Sequence, residues 1–356
     1  MLVIKSYSES NRQEWDRFVL GAPSASLFHL TSWKEAVEKV FGHKPHYIMA
    51  MRGDEIRGVL PLFEVKSRLF GHALTSVPFG VYGGISALDG QAFAMLEGSA
   101  QTLARAIGVD YLELRCDPMP AAGVGAEAEA KQAPGAGWSS KDLYVTFRRP
   151  IYETHEKNME AIPRKQRRMV RQGQKLELTS RAGRLEDLQE FYSIYARNVR
   201  DLGSPVFPLK FFRTLMEEFK DSFILSVWKG EKMVAGVLTF VFRDTVMPYY
   251  GGGLREYFEY AVNDFMYWEL MKWGCENGYK VFDFGRSKKE TGAFHFKRHW
   301  GFEPTDLDYR FYLVNARQMP NVSPVNPKYS LMINVWKKLP FPVANWLGPK
   351  LVRGIP

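Results

Sequence analysis

Residues 47–63 read YIMAMRGDEIRGVLPLF and residues 223–240 read FILSVWKGEKMVAGVLTF. Each is an apolar run, a charged turn containing glycine, and a second apolar run. Both second runs contain Gly-Val-Leu, at Gly58 and Gly236. Short apolar runs split by a polar glycine turn predict antiparallel strand pairs. The likeness continues outward in the same order. PFGVYGG (78–84) matches PYYGGG (248–253), and AMLEGSAQTLARAIGVDYLELRC (94–116) matches VNDFMYWELMKWGCENGYKVFDFGR (262–286). In the last pair a periodic apolar face ends near Gly108 or Gly278, and an alternating strand follows (Tyr111, Leu112, Leu114; Val281, Phe282, Phe284).

A helix precedes each hairpin. Trp33, Ala36, Val37, Val40 and Phe41 lie on one helical face, with Ser32 and Glu35 as a capping box and Gly42 as the stop. The second helix, around Leu209–Phe219, has Phe211, Phe212, Leu215, Met216 and Phe219. Each half therefore reads helix, hairpin, glycine-rich strand end, helix, strand. The predicted fold class is α/β, with two duplicated lobes that each hold a mixed α+β sheet. Residues 120–140, rich in Ala and Gly, read as a mobile loop before a last strand at Leu143–Arg148. The expected organisation is an N-terminal lobe over 1–150, a C-terminal lobe over 151–320 that carries the site, and a tail over 321–356.

Composition narrows the function. Of 356 residues, 46% are hydrophobic, which excludes a wholly disordered chain. The net charge of +9 favours anionic partners, namely nucleic acid, acidic lipid or phosphorylated carriers. Two cysteines make no disulfide framework or metal cluster, in keeping with a reducing cytoplasm. The N-terminus has no signal-peptide core, and no run reaches the roughly 18 apolar residues of a membrane span. A cytoplasmic protein is expected.

Helix, hairpin, strand, helix, strand is the order of the GNAT acetyltransferase fold, and two such lobes in tandem resemble the Fem family of peptidyltransferases. Residues 263–303 resemble the C-terminal lobe of Fem-type acyltransferases most closely, through Asp283-Phe284-Gly285 followed by Phe296-Lys297 and Trp300-Gly301. PRKQRRMVRQG (163–173), FYSIYARNVRDLGSPVFP (191–208), YYGGG (249–253) and the stretch 326–349 extend the resemblance to the FemAB-related proteins of exosortase (PEP-CTERM) systems. The resemblance implies transfer of an aminoacyl or acyl group to an amine of a peptidoglycan or exopolysaccharide precursor, nucleotide- or lipid-linked.

The resemblance also assigns roles. Lys297 would stabilise the charge that builds on the reacting carbonyl, and Phe296 would offer its backbone carbonyl to the amine. Tyr249, Tyr250 and the matching Tyr82 would contact the acceptor. Lys39 is a further candidate substrate contact, and Arg200, in a segment that resembles a Fem helix end, serves either as a cap or as a substrate contact. From the residues alone, Asp283, Arg286 and Ser287 sit at a strand's C-terminal end, where ligands often bind. Arg286 can hold a phosphate or carboxylate; Asp283 can orient it, accept a proton, or serve as a structural ion pair. Arg164, Lys165, Arg167, Arg168, Arg171 and Lys175 form an acid-free cluster suited to phosphates of tRNA or a nucleotide, or to anionic lipid. His295 and His299 share a helix face but lack a third ligand, so no metal is expected.

The donor is narrowed by what is missing. GNAT enzymes cradle the pyrophosphate of coenzyme A on a glycine-rich turn that opens a helix. Here that stretch is LREYFEYAVNDFMYWE (254–269), with no glycine and with Glu256 and Glu259. The match in the first lobe, SALDGQAFAMLEG (86–98), also lacks the pattern. Aminoacyl-tRNA is thus the expected donor, with acyl-CoA held by other contacts as the alternative and no tightly bound cofactor. Two further readings stay open: a coenzyme A-dependent N-acyltransferase, and a non-catalytic binder of RNA or anionic lipid. The tail mixes Trp336, Trp346, Lys337, Lys338, Lys350 and Arg353 and either touches a membrane surface or wraps a lobe.

Overall fold

A computed structural model describes residues 1–117, 137–319 and 327–355. The chain divides into two compact units. Unit 1 comprises 1–143, 306–323 and 353–356, and unit 2 comprises 144–305 and 324–352. Both contain mixed sheets with helices against them.

In unit 1 the order is β1 (Leu2–Ser6), α1 (Arg12–Gly21), α2 (Thr31–Phe41), β2 (Lys44–Pro45), β3 (Ile48–Arg52), β4 (Glu55–Leu60), β5 (Leu62–Ser67), β6 (Gly71–Ser76), β7 (Ser86–Ala87), α3 (Gly90–Ile107), β8 (Tyr111–Cys116) and β9 (Trp138–Lys141). Unit 2 continues with β10 (Tyr144–Pro150), α4 (His155–Glu160), α5 (Arg164–Lys175), β11 (Leu178–Gly183), α6 (Leu188–Leu202), α7 (Leu209–Glu218), β12 (Phe223–Lys229), β13 (Lys232–Phe242), β14 (Thr245–Gly253), α8 (Val262–Glu276), β15 (Val281–Asp283), β16 (Ser287–Lys288) and α9 (Gly292–His299). Then come β17 (Pro304–Asp306), β18 (Asp308–Leu313), α10 (Pro327–Lys338) and α11 (Phe341–Val352).

The two hairpins form as expected, β3 on β4 and β12 on β13. Beyond them the sheets differ. In unit 2, β11-β12-β13-β14-β15-β10-β16 is one continuous order. In unit 1 the strands split into β1-β3-β4-β7 and β2-β5-β6-β8-β18-β9. Pro61 stands between β4 and β5, where a residue without an N–H cannot carry a ladder onward.

The units do not follow the expected division at residue 150. The strand expected to close the first lobe, β10, pairs antiparallel with β15 and β16 in unit 2. Conversely β18 pairs with β8 and β9 in unit 1. Nor is 120–140 loop throughout: Trp138–Lys141 is strand, paired on β18, while 118–136 lie outside the described residues.

The capping box at Ser32 and Glu35 does not form. Leu30 is the N-cap of α2, and Asp16 of α1 takes the Thr31 N–H at 2.9 Å and its hydroxyl at 2.6 Å. Glu35 is instead held by the buried Lys34 at 3.2 Å. The helix stops behave as read: Gly42 and Gly108 are left-handed C-caps, at φ 66° and 73°.

In unit 2, α8 and α5 pack on one face of the sheet and α6 and α7 on the other. The basic helix α5 approaches α8 closely through Gly173, where an added Cβ would lie 2.9 Å from the Phe265 Cβ. Gly173→Ala should therefore lower stability by about 1–3 kcal/mol through overpacking, measured as a shift in the urea midpoint. An unchanged midpoint would mean that α5 can back away from α8 at little cost.

Candidate functional site

The site follows from a parting of strands. β14 and β15 run parallel but pair only at Thr245↔Val281 and Val246↔Phe282. From there the chain after β15 follows β10 instead: the Phe284 N–H donates to the Phe147 carbonyl at 2.9 Å, and Ser287 pairs with Val145. β14 runs on to Gly253 with no strand on that side among the described residues. Its backbone groups there carry no ladder bonds on that side among the described residues. A bulge against β13 displaces Tyr249, since Thr239 pairs with Pro248 and Leu238 with Tyr250. Bulges at such positions re-aim side chains.

The departing turn, 284–286, is fixed by two ionic anchors. Buried Asp283 accepts from Arg148 Nε at 2.7 Å and from the Gly285 N–H at 2.6 Å. That places Asp283 in a structural ion pair. Lys297, reaching up from α9, donates to the carbonyls of Phe284 (2.7 Å), Gly285 (3.1 Å) and Arg286 (3.1 Å). Burial pulls the Lys297 ammonium down to about 7, with Arg286 adding to the fall and Asp283 opposing it. The three carbonyls also oppose it, because only the charged form offers three donors. All three are spent on the turn, so in this geometry Lys297 shapes the site and lends it charge without a donor left over.

Around the open edge of β14 the two sheet faces differ. On the α8 side, a Cβ at Gly251 would lie 3.2 Å from Val237 and 3.5 Å from the Tyr267 hydroxyl, so the bare glycine lets both approach the strand closely. Tyr267 packs against Phe284 (4.8 Å) and Phe296 (5.6 Å). The Phe296 carbonyl accepts the Trp300 N–H at 3.1 Å within α9. One turn before Tyr267, Asp264 Oδ1 accepts from Trp300 Nε1 at 3.0 Å. Burial raises the Asp264 carboxyl to about 6, against the indole bond and Lys165, which lower it. Tyr267 is pushed up to about 12 by burial and by Asp264.

On the α6 and α7 side, Tyr250 is ringed by Tyr195, Phe207, Phe211 and Phe212. Its hydroxyl is buried and has no hydrogen-bond partner among the described residues, as is true of the hydroxyl of Ser287. Unsatisfied buried hydroxyls of this kind invite a ligand or water. Arg286 acts electrostatically on Tyr250 and lays its guanidinium on the Tyr144 ring at 4.6 Å. Tyr249 rests on Phe240 and Tyr250.

Unit 2 thus gathers Asp283, Arg286, Ser287, Phe296, Lys297, Tyr249 and Tyr250 about one strand parting. The other candidates stand apart from it. Arg200 binds Asp201 and the Leu339 carbonyl. Lys39 and Tyr82 belong to unit 1. Lys39 pairs with Glu35 at 3.5 Å, and Tyr82 is core, its carbonyl taken by the Ser26 hydroxyl.

Of the basic cluster, Arg164, Lys165, Arg168 and Arg171 are exposed on α5, Arg167 is half-buried, and none makes an ion pair among the described residues. Lys165 lies within electrostatic range of Asp264. Asp264 and Tyr267 escaped the sequence reading, although their i, i+3 spacing ahead of the Asp-Phe-Gly strand was the available signal.

In unit 1, β6 and β8 also pair in parallel and then part, after Thr75↔Glu113. There the chain's own loop closes on itself. Arg115 donates to the carbonyls of Val77 and Gly80, Trp33 to Pro78, Tyr309 to Val81 and His29 to Gly84. Val77 and Phe79 sit at positive φ, 42° and 66°, a strain these bonds sustain.

Residues 156–298 match the family model described as acetyltransferase (GNAT) domain. The chain thus carries a GNAT acetyltransferase domain, and the class of protein is an acyltransferase. The match contains α8, β15 and the Phe296-Lys297 pair and ends at Arg298. Over nearly the whole chain the fold is similar to the crystal structure of FemX, with a TM-score of 0.68 at 18% identity, covering 93% of this chain and 100% of that one. L-PGS from Bacillus licheniformis follows at a TM-score of 0.54 and 14% identity, covering 91% and 96%. A tandem GNAT protein from the clavulanic acid biosynthesis pathway gives 0.52 and 10%, covering 87% and 98%. At these identities the likeness is one of fold. No curated protein matches the sequence.

Lys297→Met strands three buried carbonyls, each worth about 1–3 kcal/mol when unsatisfied. The variant should lose at least about 2 kcal/mol in denaturant unfolding. A fully stable Lys297→Met would show that the turn holds without the clamp.

Proposed function

We propose that the chain is a tandem pair of GNAT-like lobes of the Fem type. It transfers an aminoacyl or acyl group to an amine of a cell-envelope precursor, at the inner face of the membrane, with the working site in unit 2. The observation that carries this reading is the parting of β14 from β15. It leaves that edge of β14 unpaired among the described residues, in the same unit as two titratable groups on α8, Asp264 and Tyr267, with Tyr267 packed on Phe284 and Phe296.

The chemistry follows. A donor carbonyl laid along the open edge of β14 meets backbone N–H groups that can stabilise the oxyanion. The acceptor amine attacks, the C–N bond forms, and the donor's ester or thioester bond breaks. Asp264, held by the Trp300 indole, takes the proton from the amine. Tyr267 supplies one to the departing oxygen or sulfur. Lys297 and Asp283 keep the 284–286 turn in place, and Arg286 offers its charge to a phosphate or carboxylate of the acceptor. The exposed face of α5, beside Asp264, suits the phosphates of the donor.

Aminoacyl-tRNA fits this site better than coenzyme A as donor. Residues 255–260 form a short 3-10 helix between β14 and α8 that contains Glu256 and Glu259, where a pyrophosphate would meet repulsion. The coenzyme A reading retains the support of the GNAT family match itself. A filter assay with charged tRNA against calorimetry with acyl-CoA separates them: saturable micromolar acyl-CoA binding with no tRNA binding would turn the donor assignment around.

Asp264 must be ionised to accept a proton. The pH profile of kcat/KM should therefore rise with a midpoint near 6, the value to which burial raises it. Asp264→Asn should abolish that limb and cost about 10²–10⁴-fold. A profile with the same limb in the variant would remove Asp264 from the mechanism.

A further inference from the structure

No Asp or Glu follows Asp308 in the chain, whereas Arg310, Arg317, Lys328, Lys337, Lys338, Lys350 and Arg353 do. Two helices in this stretch, α10 and α11, are seated firmly on α6. Trp336 Nε1 donates to the Ser204 carbonyl at 3.0 Å, and the Tyr192 hydroxyl donates to Asn345 Oδ1 at 3.1 Å. Close approaches fix the seat: a Cβ on Gly203 would lie 2.6 Å from Ile333, and one on Gly348 2.8 Å from the Val206 nitrogen. The tail therefore wraps unit 2 with Trp336, Ala344, Gly348 and Val352 inward.

The outward face is apolar. Met332 and Val335, one turn apart on α10, are 52% and 53% exposed; Val343 and Trp346, one turn apart on α11, are 40% and 64% exposed. Leu202, 68% exposed, ends α6 beside Gly203, against which the Lys337 stem packs. Lys337, Lys338 and Lys350 are exposed and make no ion pair among the described residues. The Lys350 ammonium stands 3.4 Å over the Trp346 ring. Neither helix is long and apolar enough to cross a membrane.

Single exposed apolar residues are ordinary, but four on two helices that carry lysines and no Asp or Glu of their own are matched to one surface: phosphate outside, hydrocarbon beneath. We propose that the outward face of α10 and α11 is a docking surface for an anionic phospholipid bilayer. Trp346, Val343, Val335 and Met332 enter the acyl boundary, and the three lysines meet lipid phosphates. A protein partner would need to be uniformly acidic to match the same face. The inference rests on the envelope setting proposed above for its purpose, and on this surface alone for its chemistry.

Sedimentation of the full chain with vesicles of phosphatidylglycerol and phosphatidylcholine, against phosphatidylcholine alone, tests it. We expect at least tenfold stronger partition onto the anionic vesicles, weakening with salt. Each surface lysine contributes roughly a fivefold factor, so Lys337→Gln/Lys338→Gln/Lys350→Gln should reduce binding about a hundredfold. Trp346→Ser should reduce it too, and the parent's tryptophan emission should shift to the blue on binding.

Equal binding to neutral vesicles, no binding, or binding unaffected by these changes overturns the proposal. So does a dimer that Trp346→Ser dissociates in the absence of lipid affinity. Transfer to a soluble acceptor is read separately and should be unchanged in all these variants. Its absence in the parent would count against the enzyme reading and leave the docking result standing.

Discussion

Three carbonyls in succession, at Phe284, Gly285 and Arg286, point at one ammonium, that of Lys297. The course of the chain after β15 depends on this contact. A strand that has begun to pair in parallel with β14 would ordinarily continue to do so. Here the chain turns at Gly285, φ 64°, and its carbonyls point away from β14. Something must satisfy them in a buried place, and water has little access. A buried cation costs desolvation, and the three charge-assisted bonds with Asp283 nearby offset it. Arg148 then holds Asp283, and Phe147 faces Phe294 across the sheet. β14 has no paired strand on its β15 side beyond Val246, among the described residues, because this turn is held elsewhere.

The same constraint explains why the two partings of strands in the chain are not equivalent. In unit 1 the carbonyls of 77–84 are met by Arg115, Trp33, Tyr309, Ser26 and His29, all from surrounding elements, and the loop is drawn into the core. Gly83 and Gly84 permit this: a Cβ on Gly83 would lie 2.0 Å from Val77, and one on Gly84 2.8 Å from Cys116. In unit 2 the glycines of 251–253 stay in the strand, and their missing side chains let Val237, Asn198 and Asn263 pack closely on the backbone, a Cβ on Gly252 falling 2.9 Å from the Asn198 Cβ. Similar glycine-rich sequences thus serve a closed loop in one unit and a tightly packed strand end in the other.

Much of this was legible in the residues. The hairpins, the helices before them, and the helix–strand pairs ending at Gly108 and Gly278 all follow from periodicity and turn chemistry. Phe296, Lys297 and Asp283 were marked by resemblance and do gather at one place. What could not be read was tertiary. Nothing local says that Tyr144–Pro150 will pair with Val281–Asp283, because its alternation of apolar residues suits any sheet. Nor does a lysine in Phe-Lys announce that its donors will be spent on carbonyls a dozen residues earlier. Nothing in the sequence ties Asp264 to Trp300, 36 residues on, and the fold alone brings them together. Arg200 could be read as a cap or as a substrate contact, and only the packing of the tail brings it the Leu339 carbonyl.

The crossed membership of β10 and β18 has a consequence for how the molecule is made. β8 is an interior strand of its sheet, with β18 on one side, and β18 ends at Leu313. On the ribosome the first 143 residues therefore emerge with one edge of β8 uncovered, while more than 160 further residues are still to be synthesised. Synthesis at about 5–20 residues per second leaves that edge bare for roughly ten to thirty seconds. Nascent chains of this protein should accordingly depend on holding chaperones for longer than a pair of beads on a string would. A gene cut at the midpoint should yield two fragments that stay soluble only when they are produced together.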